Sequence, residues 1–270
     1  MYIISDEKCL LLYAVNIIIN NATSIDQHVA LNLISGIQKQ REVTGQEAFF
    51  VQTTGLSAFD GNTNWPFGQI KNTDNVYDWE KQSKDTYVVR DVDRFVIEET
   101  KKAGITGFLV FPPMLHGRSD GAWNQHSPQL PALIKASIQN KQVYKFNENR
   151  EAPLAHVSDI ASFYGLLLEA IQRSDAIPTG ERGCYFLASH VVQWSDIMDQ
   201  LATNLHNRGL VATESTQIWP SDEMAAQSVG VPVKFAYSMW NASYVHLYDK
   251  LLHRIRRIVL PMDSQPESSL

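Results

Sequence analysis

Between Tyr77 and Gly121 the apolar period of the chain changes once, from helix to strand, and that change leaves room for very few folds. Val88, Val92, Phe95, Val96 and Ala103 recur at helical spacing and predict one buried stripe. Tyr87, Asp91, Arg94 and Glu98 occupy a separate, polar face of the same helix. Gly104 follows as a left-handed stop, with Lys101 and Lys102 set against the negative end of the helix dipole. Phe108-Leu109-Val110-Phe111 is then a continuous apolar run, the pattern of a strand covered on both faces. Pro112-Pro113 ends it, because proline brings no N–H to a sheet ladder. A polar loop, His116 to Gly121, opens at the carboxyl end of that strand, the edge at which open α/β sheets bind ligands.

The preceding residues repeat the pattern. Val15 to Ala22 reads as a β-branched buried strand running into a polar turn. Asp26 caps a helix whose stripe is Val29, Ala30, Leu33, Ile34 and Ile37, and Gly45 closes it. Ala48 to Gln52 is a second buried strand, and the polar residues 60–76 read as a surface loop. Strand, helix, strand, helix, strand predicts an α/β fold with a parallel sheet and right-handed crossovers. Further on, helices are expected over Leu130–Ile138, from Ser158 to Ile171 and from Trp194 to Leu205, with short strands at Pro153–Val157 and Cys184–Ala188. A last helix, Tyr244 to Leu260, mixes basic and apolar residues and is expected to pack on its own chain or on a second copy.

Composition excludes several classes. A net charge of -6 argues against general nucleic-acid binding, which needs a basic footprint. Leu10 to Ile19 is apolar, but Asp6 and Glu7 precede it and Asn16 interrupts it. It is therefore neither a secretory signal nor a stable membrane span, and a cytoplasmic protein is expected. Cys9 and Cys184 are far apart and in no metal-ligand spacing, so reduced thiols are expected. The histidines show no clustering of the H-E-x-x-H kind, and no metal is expected.

The segments FVQTTGLSAFD, VYDWEKQSKDTYVVRDVDRFVIEETKKAGI, FPPMLHGRSDG, LAHVSDIASFYGLLLEAI and RGCYFLASHVVQWSDIMDQLATNLHNRGL, taken in order, resemble the extended and atypical short-chain dehydrogenase/reductases. Fungal NAD-dependent epimerase/dehydratase-like proteins are the nearest in kind, and the likeness spans positions 15 to 230. It implies a Rossmann-like sheet with a smaller α+β substrate domain at the carboxyl side. On that plan residues 1–115 are a partial Rossmann-like domain, 116–243 a substrate-domain-like region and 244–270 the amphipathic helix and tail. The resemblance also implies NAD(P)-dependent redox or epimerase chemistry on a small molecule, in the setting of fungal secondary metabolism.

The family's catalytic tyrosine has a lysine four residues on, whose charge lowers the phenol pKa. Tyr77 and Lys81 have that spacing, whereas Tyr87 has Asp91 at the same offset. The family's hydroxyl after the second strand matches Thr54, with Ser57 the weaker candidate. By the same resemblance Asn20, Asn21, Ala22 and Pro112 contact the cofactor, and His116 and Arg118 the substrate. His156 and Asp159 are expected to be structural, with Asp159 capping a helix. At the front the sequence departs from the family plan. No glycine-rich turn precedes Asn20-Asn21-Ala22, a segment that resembles the one after the family's fourth strand. About three strand–helix units of that plan are missing, and with them the pyrophosphate seat. Two readings therefore stand: an NAD(P)-dependent enzyme, and a small-molecule-binding protein without a cofactor. The second carries the expectation of weak dinucleotide binding and of a homodimer covering the exposed edge of Val15 to Ala22.

Overall fold

In the computed structural model of the chain, the described residues are 15–60, 63–70, 74–83, 87–121, 125–233 and 236. The expected helix at 244–260, and Cys9, lie outside them. The main sheet has four strands in the order β1 (Ile17–Asn20), β2 (Phe49–Thr53), β3 (Thr106–Phe111) and β7 (Cys184–Phe186), all parallel. Helices α1 (Gln27–Thr44) and α3 (Val88–Lys102) make the crossovers. This is the α/β, Rossmann-like architecture that the period change predicts.

The strands are apolar on both faces because helices cover both. Phe50, Leu109 and Phe111 face Ile34 and Ile37 of α1 and Val92 and Val96 of α3. Their neighbours Val51, Phe108 and Val110 face Phe163, Leu167 and Ile171 of α5 (Val157–Gln172). Side chains that alternate along a strand must serve opposite faces, so the run 108–111 has no polar position. Asp26 caps α1 as expected, accepting from the backbone N–H groups of His28 and Val29 at 2.9 and 3.2 Å. Gly107 lets α3 approach β3, since a Cβ there would lie 2.7 Å from the Thr100 hydroxyl oxygen.

The second part of the fold holds a three-stranded sheet, in the order β4 (Met114–His116), β6 (Glu151–His156) and β8 (His190–Gln193). A short pair, β5 (Tyr144–Lys145) and β9 (Gln217–Ile218), lies beside it. Helices α4 (Gln129–Asn140), α6 (Trp194–Asn207) and α7 (Asp222–Val229) close a separate core around Trp194, Leu133 and Trp219. The division expected at residue 116 is crossed twice, because α5 packs on the first sheet and β7 extends it. The expected loop at 60–76 gives way at its end to a short helix, α2 (Val76–Gln82), capped by Asn75. Among the described residues no helix is long and apolar enough to cross a membrane.

Candidate functional site

The carboxyl edge of the main sheet is built by β1, β2 and β3, which stop at Asn20, Thr53 and Phe111. Asn20 is buried and its amide is fully used: it donates to Gln52 at 2.8 Å and accepts from the Ala22 backbone N–H at 3.1 Å. Gln52 donates in turn to the Thr23 carbonyl at 2.9 Å. This pair fixes the turn after β1 and leaves the next residue, Asn21, at the surface. Asn21 Oδ1 accepts from the Thr53 hydroxyl and from the Tyr164 phenol, the latter at 3.4 Å. Thr53 Oγ1 and the Tyr164 phenol are themselves hydrogen-bonded. A strand end, a turn and helix α5 thus bring an amide and two hydroxyls to one point of the edge.

Of the two threonines it is therefore Thr53, not the expected Thr54, that reaches this cluster. Thr53 shares the strand face of Val51, which looks toward α5; Thr54 falls on the opposite face. The Thr54 hydroxyl is buried and donates to Asp93 Oδ2 of α3 at 2.9 Å, and its N–H is held by the Val110 carbonyl at 2.8 Å. Pro112 is half-buried, and its carbonyl accepts from Leu56 at 3.1 Å.

Tyr77 and Lys81 lie apart from this edge. Tyr77 is buried, and its phenol donates to Glu98 at 3.5 Å in the carboxyl-terminal half of α3. Glu181, which also bears on that phenol, belongs to the 3-10 turn directly before β7 and so to the amino edge of the sheet. Lys81 sits over the Tyr77 ring, 4.3 Å from its centre, and pairs with Asp78 at 2.7 Å. Its charge does lower the phenol pKa, but burial and Glu98 outweigh it, and the net shift is upward. The pairing inferred from spacing thus lies beside α3 and that turn rather than over the strand ends, because α2 packs there. Tyr87 stands at the start of α3 with the Arg90 guanidinium 5.1 Å from its ring centre.

Tyr164 carries no motif in the sequence, and only the placement of α5 brings it to the edge. Burial raises its phenol pKa, while the bond to Thr53 works the other way. A phenol so placed stays protonated at neutral pH, and its surroundings, like those of Tyr77, weaken its acidity.

Beyond Pro112 the chain enters β4, whose last residue, His116, pairs in register with His156 of β6. The His116 ring lies 5.3 Å from that of His156 and 5.3 Å from that of His190, edge to face with both. Gly117, at φ 91, permits this approach: a Cβ there would meet His156 Nε2 at 1.9 Å. His156 Nδ1 accepts from the Ser158 N–H at 3.2 Å, so His156 rather than the expected Asp159 caps α5, and Asp159 takes a place in the first turn. Among the described residues no group of His, Cys, Asp or Glu is arranged to hold a metal ion. Arg118 is exposed and donates twice to Gln125 Oε1, at 3.2 and 3.0 Å. A cavity of about 350 Å³ lies inside this loop, between Met114 and Val157, with His116, Ser119 and His126 in its wall.

The turn from β1 into α1 is where a dinucleotide's pyrophosphate would be tested, since free N–H groups at a helix start favour an anion. Here Asp26 already satisfies two of them and adds a negative charge, so the turn does not fit a pyrophosphate.

No family model and no curated sequence matches this chain. Solved structures share its fold. The terminal R domain of the myxalamid PKS-NRPS biosynthetic pathway is similar at a TM-score of 0.56 and 12% identity, over 98% of this chain and 68% of that one. A GalE-like L-threonine dehydrogenase from Cupriavidus necator is similar at 0.51 and 15%, over 95% of this chain and 88% of the other. A nucleoside-diphosphate-sugar epimerase from Staphylococcus aureus is similar at 0.50 and 13%, over 97% and 78%. The likeness is one of fold alone, a Rossmann-like α/β fold.

Proposed function

We propose that this chain is an oxidoreductase or epimerase acting on a small molecule at the carboxyl edge of its main sheet. The observation that carries the reading is the convergence of Thr53, Asn21 and Tyr164 at that edge, on three different elements. A substrate carbonyl oxygen placed beside them would accept a hydrogen bond from the Tyr164 phenol, with Asn21 holding both hydroxyls in place. In enzymes of this fold class a nicotinamide cofactor supplies or accepts the hydride, and Asn21, Ala22 and Pro112 are the residues that would hold it here. Asp26 occupies the helix start that would face its pyrophosphate. That same carboxylate favours the second reading, a small-molecule-binding protein without a cofactor.

Titration of the purified chain with NADH and NADPH, followed by nicotinamide fluorescence, separates the two. The enzyme reading expects binding in the micromolar range, about -8 kcal/mol, and reduction of a carbonyl panel that falls roughly 100-fold or more in Tyr164→Phe. No binding at millimolar dinucleotide, on a folded protein, removes the enzyme reading and leaves the second.

A further inference from the structure

Among the described residues, the lining of the cavity beside β4 holds no carboxylate and no lysine. Its polar wall is made of His116, His126, Ser119, Ser127, Gln125 and Gln129, and its apolar wall includes Met114, Leu115 and Val157. Arg118 stands at the rim, bound to Gln125, and the antiparallel bridge between Arg118 and His126 closes the loop. His116 is the link inward. Its Nε2 is buried and has no hydrogen-bond partner among the described residues. A buried polar atom left unpaired costs free energy, the more so when its ring carries charge.

We propose that this cavity binds a small molecule carrying a carboxylate or phosphate on an apolar body, and that His116 takes up a proton when it binds. Each part follows from the wall. A wall of N–H and O–H donors with no acid in it suits an oxyanion, and the Met114, Leu115 and Val157 side suits the body. In the chain alone, His116 is held below the usual imidazole range by burial first, then by His190 and His156, with Asp159 acting weakly the other way. His156 Nδ1 accepts from the Ser158 N–H at the start of α5. His190 lies against the Ser189 hydroxyl at 3.0 Å. His126 and Arg118 share the loop, whose one carboxylate, Asp120, is outside the cavity wall. An oxyanion beside His116 supplies the missing counter-charge, so binding and protonation favour each other.

The inference deepens the substrate side of the function proposed above and rests on it for placing the ligand in a reaction. Val157 lines the cavity, and Tyr164 lies two turns further along the same face of α5, about 10 Å away. A molecule anchored by its oxyanion could thus extend toward the Thr53–Tyr164 cluster.

The test is calorimetric titration of the full chain with benzoate, with phenyl phosphate and with the neutral isostere benzyl alcohol, each at pH 5.5 and pH 8.0. The two anions are expected to bind, and to bind roughly tenfold or more tightly at the lower pH, one proton being linked. Benzoate favoured over phenyl phosphate assigns a carboxylate, and the reverse assigns a phosphate. His116→Asn is expected to abolish the pH dependence, and His116→Gln serves as the second variant should that protein fail to fold. An imidazole NMR signal of His116 that shifts upward in pKa on adding benzoate or phenyl phosphate supports the same assignment independently of variants. Equal binding of benzyl alcohol and the anions overturns the proposal, as does no binding of either anion, or a pH dependence that survives both His116 variants. Anion binding with no turnover of any carbonyl substrate refutes the catalytic reading and leaves this one standing.

Discussion

Replacing Glu80 with glutamine should stabilise this protein, and increasingly so as the pH rises. Glu80 of α2 is 1% exposed, and neither of its carboxyl oxygens has a hydrogen-bond partner among the described residues. Asp93 of α3 is equally buried and interacts with it unfavourably. Asp93 has the Thr54 hydroxyl on one oxygen and feels Arg90 and Arg94, whereas Glu80 has only the distant pull of those arginines. Burial drives both carboxyls well above their usual range, and the poorer solvation of Glu80 makes it the one that keeps its proton. The sign comes from linkage. A carboxyl whose folded pKa is raised contributes its full stability below the ordinary carboxylate range and loses it as the pH climbs toward the folded value. Over that window the unfolded chain has released a proton that the folded chain retains, and stability falls by about 1.4 kcal/mol per pH unit for one such group. Glutamine keeps the shape and the buried polar atoms but cannot ionise. Urea unfolding followed by tryptophan fluorescence at pH 5, 7 and 9 reads the difference. Wild type and Glu80→Gln should be closest at pH 5 and diverge upward, each 1 kcal/mol corresponding to about 2–4 °C in melting temperature. Profiles that stay parallel from pH 5 to 9 would show that Glu80 is ionised in the folded protein and that the argument from burial fails.

Gly117→Ala adds a Cβ at 1.9 Å from His156 Nε2 and demands φ 91 of an L-residue. We expect a loss of about 1–3 kcal/mol in denaturant unfolding, together with loss of the cavity's anion binding. Asn20→Ala leaves the Gln52 amide oxygen without its donor and should cost about 1–3 kcal/mol, read the same way. Tyr77→Phe removes only a long bond to Glu98 and should leave turnover within about twofold, where Tyr164→Phe lowers it roughly 100-fold or more. A large loss in Tyr77→Phe would return the acid–base role to the Tyr77–Lys81 pair.

The sequence by itself determined the features that depend on near neighbours. The stripe of Val92 and Val96, the apolar run 108–111, the Asp26 cap and the proline stop after Phe111 each follow from spacing or from one residue's geometry. They specify helices, buried strands and hence a parallel α/β sheet. The strand period also held the choice between Thr53 and Thr54: position 53 shares its face with Val51, and only the identity of the helix on each face was missing.

That identity is a long-range fact, and the tertiary structure alone decided it. Tyr164 meets Thr53 across more than a hundred residues, because α5 returns to cover the first sheet. The histidine cluster depends on β4 pairing with β6 and β6 with β8; the strand at Pro153–Val157 is legible in the sequence, but which strands flank it is not. Tyr77 and Lys81 illustrate the converse. Their spacing is local and readable, but which edge of the sheet α2 faces is set by its packing on α3 and on the turn before β7. A spacing fixes which side chains share a helical face; only the packed fold fixes what that face meets.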